Sequence, residues 1–85
     1  MLRIFGDGSG PTTVLHVEGR LRGDGVGELR RACSEVEGSL VLDLSDLRYA
    51  DEQGLRFLGA LAKNGTELLK ASPLILMLLE QIDDR

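Results

Sequence analysis

The chain has no tryptophan, one cysteine and two prolines, and two phenylalanines and one tyrosine are its whole aromatic set. Its core must therefore be made mostly of leucine and valine. A single cysteine, Cys33, excludes an intrachain disulfide and a cysteine-based zinc site. Its position on the apolar face of a predicted helix makes it a small core residue rather than a reactive thiol. Positive charge is also scarce: ten Lys and Arg stand against fourteen Asp and Glu, for a formal charge of −4, and no run of basic residues occurs. That balance speaks against nucleic acid and anionic membrane surfaces as partners. The longest apolar run, Leu74 to Leu79, is far too short to cross a bilayer. The sequence after Met1 is polar and glycine-rich where a signal peptide would be apolar, so a cytoplasmic, reducing location is expected.

What remains is 85 residues, 42% of them hydrophobic, enough for one small domain over residues 1–85. Its centre is the stretch 40–61. Leu40-Val41-Leu42 and Leu44, interrupted by Asp43, form an apolar run too short for an ordinary helix and predict a buried strand. Beyond a polar loop, Leu55, Leu58, Leu61 and Ala62 fall at helical spacing, with Phe57 beside them and Arg56 and Lys63 facing away. Asp51 is placed to cap that helix, and Asn64-Gly65 to end it.

Elsewhere, Leu2 to Phe5 predicts an edge strand, and Gly6 to Pro11 a turn. Thr12 to Glu18 predicts a strand with Thr13, Leu15 and Val17 on one face and Val14, His16 and Glu18 on the other. The connection from Gly19 to Gly25 carries Arg20 and Arg22, able to meet an acidic partner but most simply a solvated loop. Val26, Leu29, Cys33 and Val36, with Ala32, make the stripe of an amphipathic helix that Gly38 stops. Thr66 to Lys70 is a marginal strand. Ser72-Pro73 opens a last helix, in which Leu74, Ile75, Leu78 and Ile82 suffice for one buried face and leave Leu76 and Met77 for solvent or a partner. The alternation predicts an α/β fold, with a small single sheet of about four strands and helices mainly on one face.

No catalytic set is visible. The glycine-rich turn leads into a strand without Lys-Ser/Thr, so it is not a phosphate loop, and no cofactor is implied. Asp43, Asp46, Asp51 and Glu52 crowd one region, and paired carboxylates can hold Mg²⁺ or run acid/base chemistry. Their distribution between a strand and a helix start favours capping and local structure. His16 has no partners at triad spacing and is read as a surface or half-buried strand residue. Arg48 is read as solvated surface, and Tyr49 as a residue at the edge of the core.

The loop resembles that of STAS domains, the fold of bacterial anti-sigma-factor antagonists and of sulfate-transporter cytoplasmic tails. Leu40-Val41-Leu42-Asp43-Leu44-Ser45 and Asp51-Glu52-Gln53-Gly54-Leu55-Arg56 match the family's apolar strand ending in Asp-Leu-Ser, then Asp-Ser-Ser-Gly-Leu-Gly and an apolar helix. Val17-Glu18-Gly19-Arg20-Leu21 and Ser72-Pro73 resemble two further family elements. The family usually continues through another strand and helix, which the chain is expected to lack.

The resemblance implies a non-enzymatic protein-binding module. In the antagonists the residue after the aspartate is a serine phosphorylated by an anti-sigma kinase; here it is Glu52, followed by Gln53. A phosphoserine carries about −1.5 to −2 charges and glutamate only one, so Glu52 is a partial mimic of the modified state. The expected partner surface is Asp51, Glu52, Gln53, Gly54 and Arg56 with Tyr49, Gly54 allowing close approach of a partner backbone. The partner is then an anti-sigma kinase-like protein. The alternative is an accessory subunit of a phospholipid-transport ATPase complex, or a homodimer, using Leu76 and Met77 as an interface.

Overall fold

The computed structural model describes residues 2–7 and 10–83. The elements in order are β1 (Leu2–Asp7), β2 (Thr12–Leu21), α1 (Asp24–Ser34), β3 (Ser39–Asp43), β4 (Leu47–Ala50), α2 (Glu52–Lys63), β5 (Glu67–Leu69) and α3 (Pro73–Asp83). The turn predicted for Gly6 to Pro11 includes Gly8 and Ser9, which lie outside the described residues.

Strand β2 organises the sheet. It pairs antiparallel with β1 along one edge and parallel with both β3 and β4, while β5 adds to β3 in parallel. β3 pairs with residues 12–16 of β2 and β4 with residues 19–21. Gly19 has Leu2 on one side and Leu47 on the other, so β3 and β4 run end to end along the same edge of β2. The break between them is a turn in which the Asp43 carboxylate accepts from the Ser45 amide at 2.9 Å. That bond holds the carboxyl of Asp43 below its ordinary pKa, since the ionised form is the better acceptor.

Alternation along the strands decides which residues fill the core. Leu15, Val17 and Leu21 of β2, Leu42 of β3 and Leu44 just after it are buried, facing Val26 and Leu29 of α1, Leu55 and Leu58 of α2 and Ile75 of α3. Fully burying a leucine is worth about 1.5–3 kcal/mol, so this leucine cluster is the main source of stability. The opposite sheet face carries a polar and aromatic cover instead. His16 stacks on Phe5 with ring centroids 4.8 Å apart, and its Nδ1 lies 3.5 Å from Asp43 Oδ2. Arg3 lies over the Phe5 ring and pairs with Glu18 at 3.9 Å. His16 is thus a half-buried strand residue, as expected.

The α/β class, the sheet with helices on one face and the three helices agree with the sequence reading. The additional strand β4, missed in the sequence, carries the main correction. A register shift between Gly19 and Arg20 turns Leu47 and Ala50 inward and sets Tyr49 beside Arg20 on the outer side. Tyr49 is 44% exposed and does not edge the core. In α3 the buried stripe is rotated from the expected one: Ile75 is buried, Leu78, Leu79 and Ile82 are half-buried, and Leu74 joins Leu76 and Met77 on the surface. No helix among the described residues is long and apolar enough to cross a membrane.

Candidate functional site

The loop from β4 into α2 is built around one carboxylate. Asp51 has extended backbone angles, φ −78° and ψ 180°, and its Oδ1 accepts from the Gly54 amide at 2.7 Å, capping α2 as the sequence predicts. Its Oδ2 accepts from the Gly23 amide at 3.0 Å. Gly23 is the N-cap residue of α1, with φ 55°, a region that glycine enters without strain, and it offers no side chain to cap that helix. One aspartate therefore fixes the starts of two helices. Its own amide donates to Leu21 O at 3.0 Å, tying the same corner to the end of β2.

This geometry divides the expected partner surface. Asp51 has both carboxylate oxygens engaged internally, so its side chain holds the fold. Gly54 is buried, and a Cβ there would stand 2.9 Å from Leu21 O and 3.0 Å from Leu21 Cγ. The close approach that Gly54 makes in this structure is to its own chain, at Leu21. Glu52, Gln53 and Arg56 are exposed, and Glu52 pairs with Arg56 one turn on at 3.8 Å. Such an exposed pair contributes only a few tenths of a kcal/mol and is easily exchanged for contacts to a partner. Gln53 and Arg56, with Phe57 and Ala60, face Gly23, Val26, Gly27 and Arg30 of α1 and its N-cap across a groove of about 510 Å³. Arg30 lies 5.3 Å from the Phe57 ring centroid, covering the far wall of that groove.

The other acidic residues do not converge. Asp43 serves the β3 turn and Asp46 offers its carbonyl to the Gly19 amide at 3.0 Å. No group of three or more His, Cys, Asp or Glu among the described residues could hold a metal ion. Cys33 is half-buried, and desolvation pushes its thiol pKa up, away from thiolate reactivity. Leu74, Leu76 and Met77, all 48–52% exposed, form a second candidate surface on α3.

Sequence reasoning found the α2 start but not the link from Asp51 to Gly23, whose partners lie 28 residues apart. It also did not foresee that Arg20 at the end of β2 and Arg22 just beyond it meet Arg48 of β4 around one hollow with Tyr49. Neither arrangement has a local signature, because both depend on the unpredicted strand β4.

A family model described as "Mlab, STAS domain" matches residues 5–83. No curated protein matches the chain. Among solved structures, an antisigma-factor antagonist STAS domain from Rhodobacter sphaeroides has a similar fold, with TM-score 0.61 at 21% identity, covering 85% of this chain and 92% of that one. The order of strands and helices, the aspartate-capped α2 and the extent of the family match lead to one assignment: the chain belongs to the STAS domain family, whose members are non-catalytic modules that act by binding other proteins.

Proposed function

We propose that this STAS domain is a cytoplasmic regulator resembling the anti-sigma-factor antagonists, docking on an anti-sigma kinase-like protein through Glu52, Gln53 and Arg56 with Tyr49 alongside. The observation that carries this reading is the division of labour at the start of α2. Asp51 and Gly54 maintain the turn, while the adjoining Glu52 and Gln53 present polar side chains outward beside a groove. In antagonists of this type the position of Glu52 holds the serine whose phosphorylation ends the complex. Glutamate accepts no phosphoryl group there and brings a single negative charge. The domain then works without a serine switch, held in one binding state.

Affinity capture from the native cytoplasm with the wild type, Glu52→Ser and a Gln53→Ala/Arg56→Glu variant tests the proposal. The expected result is capture of an ATP-binding regulatory kinase by the wild type, loss of that capture in the double variant, and phosphate at position 52 only in the Glu52→Ser protein. Phosphate on Ser45 of the wild type, or capture indifferent to Gln53 and Arg56, refutes it.

A second reading is supported by the family match and by the apolar surface of α3: an accessory subunit of a phospholipid-transport ATPase complex. A permanent interface favours exposed apolar residues such as Leu74, Leu76 and Met77. Under this reading the captured protein is a transport ATPase, and Leu76→Glu with Met77→Glu abolishes its capture while changes at Gln53 and Arg56 do not.

A further inference from the structure

The sequence has no basic run, yet the fold makes a basic cluster. Arg20 at the end of β2, Arg22 just beyond it and Arg48 of β4 line one hollow of about 280 Å³, with Tyr49 as its aromatic wall. Arg20 and Tyr49 are register partners across the two strands. Other arginines have local company: Arg3 pairs with Glu18 and covers Phe5, Arg30 lies over Phe57, Arg56 pairs with Glu52, and Arg31 sits in the last turn of α1, where the helix dipole favours a cation. No carboxylate among the described residues comes within 4.0 Å of Arg20, Arg22 or Arg48. All three are exposed. In a chain of net charge −4, holding three unpaired guanidinium groups together costs repulsion that an anionic ligand would relieve.

We propose that Arg20, Arg22 and Arg48, with Tyr49, form a docking site for a short acidic segment of a protein partner. Guanidinium forks take carboxylates in bidentate fashion, and Tyr49 offers both a ring face and a hydroxyl to the neighbouring peptide. The surroundings select against a long polyanion. Asp46 and Glu18, the latter paired with Arg3, share the hollow on the other side of Arg48, and Asp24 and Glu28 border the hollow on the other side of Arg20 and Arg22. A few carboxylates fit between these acidic margins, whereas a nucleic-acid backbone running across them meets repulsion at each side. The site lies next to the α2 corner, because Arg22 precedes the Gly23 amide that Asp51 holds. It nevertheless stands on its own residues, apart from Tyr49, and does not depend on docking at Glu52.

The test is a titration of the full chain, at low ionic strength, with a blocked oligoglutamate peptide, an oligonucleotide of matched charge and inorganic phosphate, followed by amide NMR shifts. The peptide is expected to move the resonances of Arg20, Arg22, Arg48 and Tyr49. Its affinity should fall about 10-fold or more in Arg20→Glu/Arg48→Glu, as loss of charge-assisted bonds requires, and remain unchanged in Arg31→Glu. A milder Arg20→Gln/Arg48→Gln pair, checked for native thermal unfolding, gives an intermediate loss if the folded site is responsible. Shifts scattered over the surface, equal weakening by Arg31→Glu, or tighter binding of the oligonucleotide or phosphate than of the peptide overturns the proposal. Capture indifferent to the Gln53 and Arg56 changes refutes docking at α2 but leaves this titration intact, so the two proposals fall separately.

Discussion

Substituting alanine at two glycines of neighbouring helices should change stability in opposite directions. Both Gly27 and Gly54 lie inside helices, where alanine is intrinsically better by about 1 kcal/mol. At Gly27 a new Cβ meets nothing within 4 Å, so the intrinsic gain should be expressed. At Gly54 it meets Leu21 O at 2.9 Å, Leu21 Cγ at 3.0 Å and Leu21 Cδ2 at 3.1 Å. The first of these is backbone, and it also accepts from the Asp51 amide, so moving it away strains the corner that Asp51 fixes. The Leu21 side chain is fully buried and has no space into which to retreat. Overpacking of this kind costs about 1–3 kcal/mol and more where the backbone must shift, which outweighs the helical gain. We expect Gly54→Ala to lose about 1–2 kcal/mol net, lowering Tm by roughly 4–16 °C for a domain of this size, and Gly27→Ala to gain up to about 1 kcal/mol. Urea unfolding followed by circular dichroism measures both. A Gly54→Ala protein as stable as the wild type would show that the contact with Leu21 does not constrain this helix.

Three other outcomes can be checked on the same protein. Asp51→Ala should lose about 1–3 kcal/mol, because it removes a helix cap and a second amide acceptor together; a loss below about 0.5 kcal/mol in urea unfolding contradicts the double role. The folded-state pKa of Asp43 is depressed, so its stabilising contribution is present above the unfolded value of about 3.9 and is lost as pH falls through the lower folded value. The stability advantage of the wild type over Asp43→Asn should therefore shrink as pH falls below about 4, and a constant difference across that range rejects the hydrogen-bonded carboxylate as its source. Because desolvation raises the Cys33 pKa, native protein should react with a thiol reagent more slowly than urea-unfolded protein at the same pH; equal rates would show that burial gives no protection.

Much of the fold was legible in the sequence because the strongest patterns are local. The alternation in 12–18, the leucine stripe of α2 and the Asp51, Asn64 and Ser72 signals identify elements whose neighbours along the chain suffice to define them. α1 begins at Asp24, two residues before the predicted start, because contacts to the sheet and the bond from Gly23 to Asp51 offset the helix-weakening Gly25 and Gly27. β4 escaped detection for a related reason. In Leu47-Arg48-Tyr49-Ala50 the buried residues are the first and last, an i, i+3 spacing that belongs to a helix face and not to the alternation of a strand. Its pairing with β2 and the register shift at Gly19 and Arg20 create that pattern. With β4 hidden, the outward turn of Tyr49 and the meeting of Arg48 with Arg20 were hidden too. The rotation of α3 that exposes Leu74 is likewise set by packing, since Leu74 to Leu79 is apolar all round and offers no internal mark of its buried side.

The double grip of Asp51 has a consequence for how such a domain can evolve. Adjacent codons carry separate burdens: position 51 secures two helices, while position 52 projects from the surface of one. A lineage can therefore change the side chain displayed at 52 with the architecture supplied by 51 left standing. The surface at that point can vary without rebuilding the protein that displays it.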